Sequence, residues 1–93
     1  MREQRWHELD LHGERLDRGR VGYRLREALR AAARERAGLR VIHGRGQHVL
    51  AELVQSVLRE WELEHAEGWA NPGETRVEAA AVARFGQRGS SFR

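Results

Sequence analysis

Polar and apolar positions alternate through Glu8-Leu9-Asp10-Leu11-His12, and the alternation stops at Gly13. A period of two marks a strand with one buried face. Leu9 and Leu11 are therefore expected on the core side, with Asp10 and His12 together on the other. Residues 1–7 read as a loose polar lead-in. From Arg18 to about Arg36 the period lengthens, and Val21, Leu25, Ala28, Leu29 and Ala32 form one helical stripe. Asp17 suits the N-cap of that helix, and Gly38 its C′ position. Gly22 within the helix suggests close packing on a sheet. Leu39 to His43 is a short apolar, partly β-branched run and reads as a second strand. Beyond Gly44 and Gly46 the helical spacing returns in Val49, Leu50, Leu53, Val54, Val57, Leu58 and Trp61, which predicts a helix from about Gln47 to His65. Gly68 and Asn71-Pro72-Gly73 break the pattern. Arg76 to about Ala81 is expected as a third strand, Gly86-Gln87-Arg88-Gly89 as a glycine loop, and Ser90 to Arg93 as the opening of a fourth strand.

The predicted order is strand, helix, strand, helix, strand, strand (βαβαββ). This is an α/β two-layer sandwich, with a mixed four-stranded sheet and both helices on one face. A chain of 93 residues makes one small domain, taken as residues 8–93. The last strand is expected to be short, because the sequence stops at Arg93. Without cysteine there are no disulfides, thiolate zinc sites or cysteine nucleophiles. No apolar run approaches the ~18 residues of a membrane helix, and Met1 to Asp10 lacks the apolar core of a signal peptide. The expectation is a cytoplasmic protein with no membrane partner.

Charge sharpens the picture. The net charge is only +3, but all 17 basic residues are arginine, the residue suited to bidentate phosphate contacts. Seven of them fall between Arg18 and Arg36. The glutamates at 60, 62, 64 and 67 should make one end of the domain negative. The corner around Gly44 matters most. A strand, a glycine turn and a helix start offer free backbone N–H groups and a positive helix end to an anion. This turn also carries His43, Arg45 and His48. If the first two strands are parallel neighbours, His12 and His43 stand at the same sheet edge, where open α/β sheets bind ligands. One site is then expected from Asp10, His12, His43, Arg45 and the Gly44–Gly46 backbone, with His48 reaching phosphate from the first helical turn.

The pair Leu9-Asp10-Leu11-His12-Gly13 and His43-Gly44-Arg45-Gly46, about thirty residues apart with a helix between them, resembles the two signature motifs of the small MutS-related (Smr) domain. The resemblance runs from about Leu9 to Phe92. It implies a fold like the C-terminal domain of translation initiation factor three, nucleic-acid binding and, in many members, endonuclease activity on DNA or RNA. It also implies roles for Asp10 and His12 in the first motif, and for His43, Gly44, Arg45 and Gly46 in the second. Two features depart from the family pattern. The late loop is poorer in glycine, and the last strand is cut short.

Three functions follow from these residues. In a nuclease, Asp10, His12 and His43 are the catalytic group. Gly44, Arg45, Gly46, His48 and Arg88 hold nucleic acid. Two histidines can serve as base and acid near neutral pH, and for RNA the 2′-hydroxyl is a built-in nucleophile. RNA is therefore slightly favoured, with no cofactor. DNA would need activated water and a divalent metal, Mg or Mn, held through Asp10 with Glu8 or Glu14. In a non-catalytic binding module the same loops grip the backbone and His12 is structural. A small-molecule phosphate enzyme is disfavoured, since no dinucleotide fingerprint or P-loop lysine is present. The partner in the first two cases is RNA or DNA, free or within a larger nucleoprotein such as a ribosome.

Overall fold

The computed structural model describes residues 4–44, 48–67 and 73–89. Strand β1 (Trp6–Asp10) leads into helix α1 (Arg18–Arg34), strand β2 (Gly38–Ile42) and helix α2 (His48–Glu60). A two-residue strand β3 (Ala66–Glu67), strand β4 (Glu74–Val77) and helix α3 (Ala79–Gly89) follow. The result is a small α/β domain in which the described residues form a mixed sheet with three full strands, and three helices. β1 and β2 pair in parallel, with Asp10 opposite Ile42, and β4 pairs antiparallel on the far side of β2. β3 adds only a brief antiparallel pairing at the outer edge of β4. No helix among the described residues is long and apolar enough to cross a membrane.

The amphipathic patterns place the core. Val21, Leu25, Ala28, Leu29 and Ala32, the whole predicted stripe of α1, are its buried residues. They join Leu11, Leu39, Val41, Val77, the buried face of α2 (Leu50, Val54, Val57 and Leu58) and Ala81, Val82 and Phe85 of α3 in one cluster. Fully burying a side chain of the Val or Leu class contributes about 1.5–3 kcal/mol, so this layer carries the fold. Val49, assigned to the same stripe by spacing, is instead 74% exposed at the start of α2.

Several expectations are corrected. The run predicted as a strand from Arg76 to Ala81 is extended only through Val77. Ala79-Ala80-Ala81-Val82-Ala83 then enters α3, because alanine is the best helix former and a poor strand former. The predicted glycine loop, residues 86–89, is the C-terminal part of that helix. Gly86 lies beside α1, where an added Cβ would sit 3.7 Å from Ala33 Cβ. The fourth strand expected over residues 90–93 falls outside the described residues. β1 begins at Trp6, inside the expected lead-in. Gly22 faces Trp61 rather than the sheet.

Gly38 is not the helix C′ residue. Arg36 takes that place, at φ 56°, with Ala37 N–H donating to Ala32 O (2.9 Å) and Arg36 N–H to Ala33 O (3.1 Å). These are the paired bonds of a Schellman cap. Gly38 opens β2 instead, and a Cβ there would meet Trp6 at 2.6 Å and the Val77 carbonyl at 2.7 Å. It is glycine because the Trp6 ring lies against its backbone.

Candidate functional site

Because β1 and β2 are parallel and in register, both histidine-bearing turns leave the sheet at one edge. The pairing continues one residue past β1, where Leu11 N–H donates to Ile42 O at 2.7 Å. Helix α1 then runs back toward the start of β1, and the His7–Glu35 contact (3.0 Å) marks the opposite end.

The first turn is Leu11-His12-Gly13-Glu14, closed by Glu14 N–H to Leu11 O at 3.1 Å. Its third residue, Gly13, has φ 80°, a left-handed conformation that favours glycine. Asp10 precedes the turn and uses one oxygen twice. Oδ1 accepts the His12 backbone N–H at 3.1 Å and lies 2.5 Å from His12 Nδ1. The first bond makes an Asx-type turn. The second holds the imidazole in one orientation. Its hydrogen bond to His12 holds the Asp10 carboxyl below the ordinary carboxylate value, helped by the His12 backbone N–H. The same bond, followed by the Asp10 charge, raises His12 above the ordinary 6.5. The His12 side chain is 66% exposed. Nδ1 is committed to Asp10, and among the described residues Nε2 has no partner, so Nε2 is the atom this turn offers to solvent.

The second turn shares the edge but not the surface. His43 is 1% exposed. Leu39, Val41 and His43 share the core-facing side of β2 by the period of two, so the ring enters the interior. Its Nε2 lies 2.9 Å from Thr75 Oγ1, and Gln55 Nε2 donates to that same oxygen at 3.3 Å. His43 Nδ1 is 3.4 Å from the Gly44 carbonyl. The backbone N–H groups of His43 and Gly44 both donate to Gly73 O, at 2.8 and 3.0 Å. Gly44 has the expected positive φ, 88°, but its N–H serves the fold and is not free for an anion. His48 is exposed, as the first residue of α2. Arg45 and Gly46 lie outside the described residues, as does the side chain of Arg88, whose backbone is in α3.

The expected basic and acidic zones partly cancel. Arg18 donates to Ser56 (2.8 Å) and pairs with Glu60, Arg24 pairs with Glu14 (2.8 Å), and Arg30 pairs with Glu27 (3.1 Å). Arg26 stacks over the Trp61 ring at 5.1 Å, and Trp61 stacks on Phe85 at 5.3 Å. At the acidic end Glu64 meets Arg84 at 3.1 Å. Glu8 is held by Arg40 at 3.1 Å. Both extra carboxylates considered for a metal, Glu8 and Glu14, are thus engaged by arginine. Among the described residues no three His, Cys, Asp or Glu side chains converge as a metal site.

Sequence reasoning missed Thr75 and Gln55, the partners of His43, and a charge row across the sheet face opposite the helices. There Glu74, fully buried, bonds Arg40 (2.9 Å) and Arg76 (2.5 Å). Burial alone would push Glu74 up, but the two guanidiniums hold it below the ordinary carboxylate value. Arg76 also lies over the Trp6 ring, 5.4 Å from its centre. Strand alternation after Gly73 is the available signal, since it sets Glu74 and Arg76 on one face and Thr75 and Val77 on the other.

No curated protein matches this chain. The family model for the Smr domain matches residues 9–84, which takes in both histidine turns and most of the sequence. The chain therefore belongs to the Smr domain family, which is associated with nucleic-acid binding and nuclease activity.

Proposed function

We propose that the domain is an endonuclease that cleaves RNA, with His12 as the proton-transferring group and Asp10 as the residue that orients it. The observation that carries this reading is the Asp10–His12 pair, solvent-exposed at the sheet edge with Nδ1 bound and Nε2 turned outward. In RNA the 2′-oxygen attacks the adjacent phosphorus and its proton leaves to a base. The bond to the 5′-oxygen breaks, and that oxygen takes up a proton. A protonated His12 suits the second transfer, and the raised proton affinity imposed by Asp10 favours that form near neutral pH. The products are a 2′,3′-cyclic phosphate and a 5′-hydroxyl. His48, exposed at the helix start, and Arg45 and Gly46, which precede it in the sequence, are the proposed phosphate contacts. Arg88 is a further one.

RNA is favoured over DNA because the chemistry needs one well-held imidazole rather than a carboxylate cluster. Asp10 has one described role, holding His12, and Glu8 and Glu14 are paired with arginine. A DNA substrate would require a divalent metal, for which these residues supply only Asp10. The substrate is RNA in the cytoplasm, free or within a nucleoprotein such as a ribosome. A second reading, a binding module without chemistry, draws support from the burial of His43, which removes one of the two histidines an acid–base pair would use.

The test is incubation of the protein with end-labelled RNA and DNA of the same sequence, with and without EDTA, followed by analysis of product ends. Cyclic phosphate ends on RNA, unaffected by EDTA, are expected. Cleavage of DNA only, stopped by EDTA, would reverse the substrate and metal assignment. Binding without cleavage of either would favour the module.

A further inference from the structure

The buried polar group beneath the second turn is not explained by the chemistry above. His43, Thr75 and Gln55 come from β2's end, β4 and α2, three elements brought together only by the fold. His43 and Thr75 are both buried, and the imidazole nitrogen and hydroxyl oxygen are 2.9 Å apart. A buried imidazole needs partners, because burying a polar group without one is costly. With the Gln55 amide donating to Thr75 Oγ1, the hydroxyl proton is free to point at His43 Nε2. In that tautomer the ring proton is on Nδ1, 3.4 Å from the Gly44 carbonyl; in the other, Nε2–H donates to Thr75 Oγ1, and either one ties the ring to β4. The backbone reinforces the same direction, since Gly73, two residues before Thr75, accepts both the His43 and the Gly44 N–H. The start of β4 thus holds the first residue of the glycine turn by backbone and by side chain at once.

We infer that Thr75, assisted by Gln55, is a positioning residue of the nucleic-acid site. Acting through the buried His43 ring, it fixes Gly44 and so the point from which the chain leaves the sheet toward α2. His43 is in this view a strut under the turn and not a proton-transfer group. The inference rests on the proposed nucleic-acid function for its consequence, but not for its geometry. The bond network would hold Gly44 whether or not RNA binds there.

Thr75→Val keeps the branched shape and removes the hydroxyl, whereas Thr75→Ser restores it. Gln55 is only half-buried, so Gln55→Leu probes the same network with less risk to folding. Two measurements separate the geometry from the function. The first is amide hydrogen exchange at His43 and Gly44, read against amides in α1. Thr75→Val is expected to speed exchange at those two positions by tenfold or more relative to α1, with a smaller increase for Gln55→Leu and recovery in Thr75→Ser. The imidazole ¹⁵N signals of His43 should move in Thr75→Val and return in Thr75→Ser. The second is affinity for labelled RNA, which should fall severalfold in Thr75→Val and recover in Thr75→Ser, while turnover at saturating RNA falls less. Unchanged exchange at Gly44 in both Thr75→Val and Gln55→Leu would overturn the positioning role. Faster exchange with undiminished RNA affinity would overturn its link to binding. Wild-type protein that binds no RNA would sink the functional reading instead, while the exchange data still decide the clamp.

Discussion

The two histidine turns begin alike and end differently. Each follows a strand, each is built around a glycine with positive φ, and parallel pairing delivers both to one sheet edge. Yet His12 stands in solvent beside a carboxylate, while His43 is enclosed beside a hydroxyl. The difference comes from register. Leu11 takes the core-facing place beyond β1 and pushes His12 outward, whereas His43 itself takes that place beyond β2, after Leu39 and Val41. The two imidazoles therefore experience opposite physics. An exposed imidazole can exchange protons with a substrate and is tuned by neighbouring charges, here Asp10 first and then Glu14. A buried one is constrained by the hydrogen bonds it cannot afford to lose. Proximity at an edge does not make an acid–base pair unless both rings also share a surface.

The sharpest way to break this contrast is to remove each ring in turn. His12→Ala is expected to lower RNA cleavage by about 10²–10⁴-fold, the usual worth of a positioned proton-transfer group. Its unfolding midpoint should barely move, because exposed substitutions typically stay within about 0.5 kcal/mol. Kinetics and a urea melt on the same preparation check both halves. Undiminished cleavage in His12→Ala would remove that residue from the chemistry. His43→Ala should show the reverse balance. It opens a cavity and leaves the Thr75 hydroxyl without its ring partner, so a stability loss of about 2–4 kcal/mol is expected in the urea melt. If His43→Ala is as stable as wild type but inactive, the ring is a reacting group and the structural role is wrong.

Much of this is legible in the sequence, for reasons that particular residues supply. The α1 stripe was readable because five apolar residues keep one helical face, and all five are buried. Asp17 was readable as a cap because a side-chain acceptor beside a helix start has one obvious use, and it does accept Arg20 N–H at 2.8 Å. The exposure of Asp10 and His12 followed from simple alternation. The burial of His43 is legible by the same count from Leu39 and Val41. Other features were out of reach. Both α1 and α2 end in left-handed residues that are not glycine, Arg36 and Glu62 at φ 56° and 58°, so no glycine marks either stop. Helix α3 was hidden because its glycines read as a loop, although its alanines pointed to a helix. Thr75 and Gln55 are unremarkable in sequence, and only tertiary contact between β4 and α2 gives them a common partner.

The finest test of the exposed turn uses pH. Asp10 sits below its ordinary 3.8 and His12 above its ordinary 6.5, each because of the other. The sign follows directly. Their mutual stabilisation is present in full between the ordinary values of the two groups. It is lost as pH falls through the lowered Asp10 value, and lost again as pH rises through the raised His12 value. Both groups are open to solvent, so the effect on folding stability is small, and the activity profile is the more sensitive reporter. Asp10→Asn removes the charge and the strong acceptor, so the His12 pKa should return toward its ordinary value. If His12 acts as the acid, activity requires its protonated form, and the descending alkaline limb of the profile should move to lower pH in Asp10→Asn. If it acts as the base, the ascending acidic limb should move to lower pH instead, and the variant should gain relative activity there. The limb that moves therefore assigns the direction of proton transfer. A profile in which neither limb moves would show that the 2.5 Å contact does not tune His12 and that Asp10 acts only on the backbone of the turn.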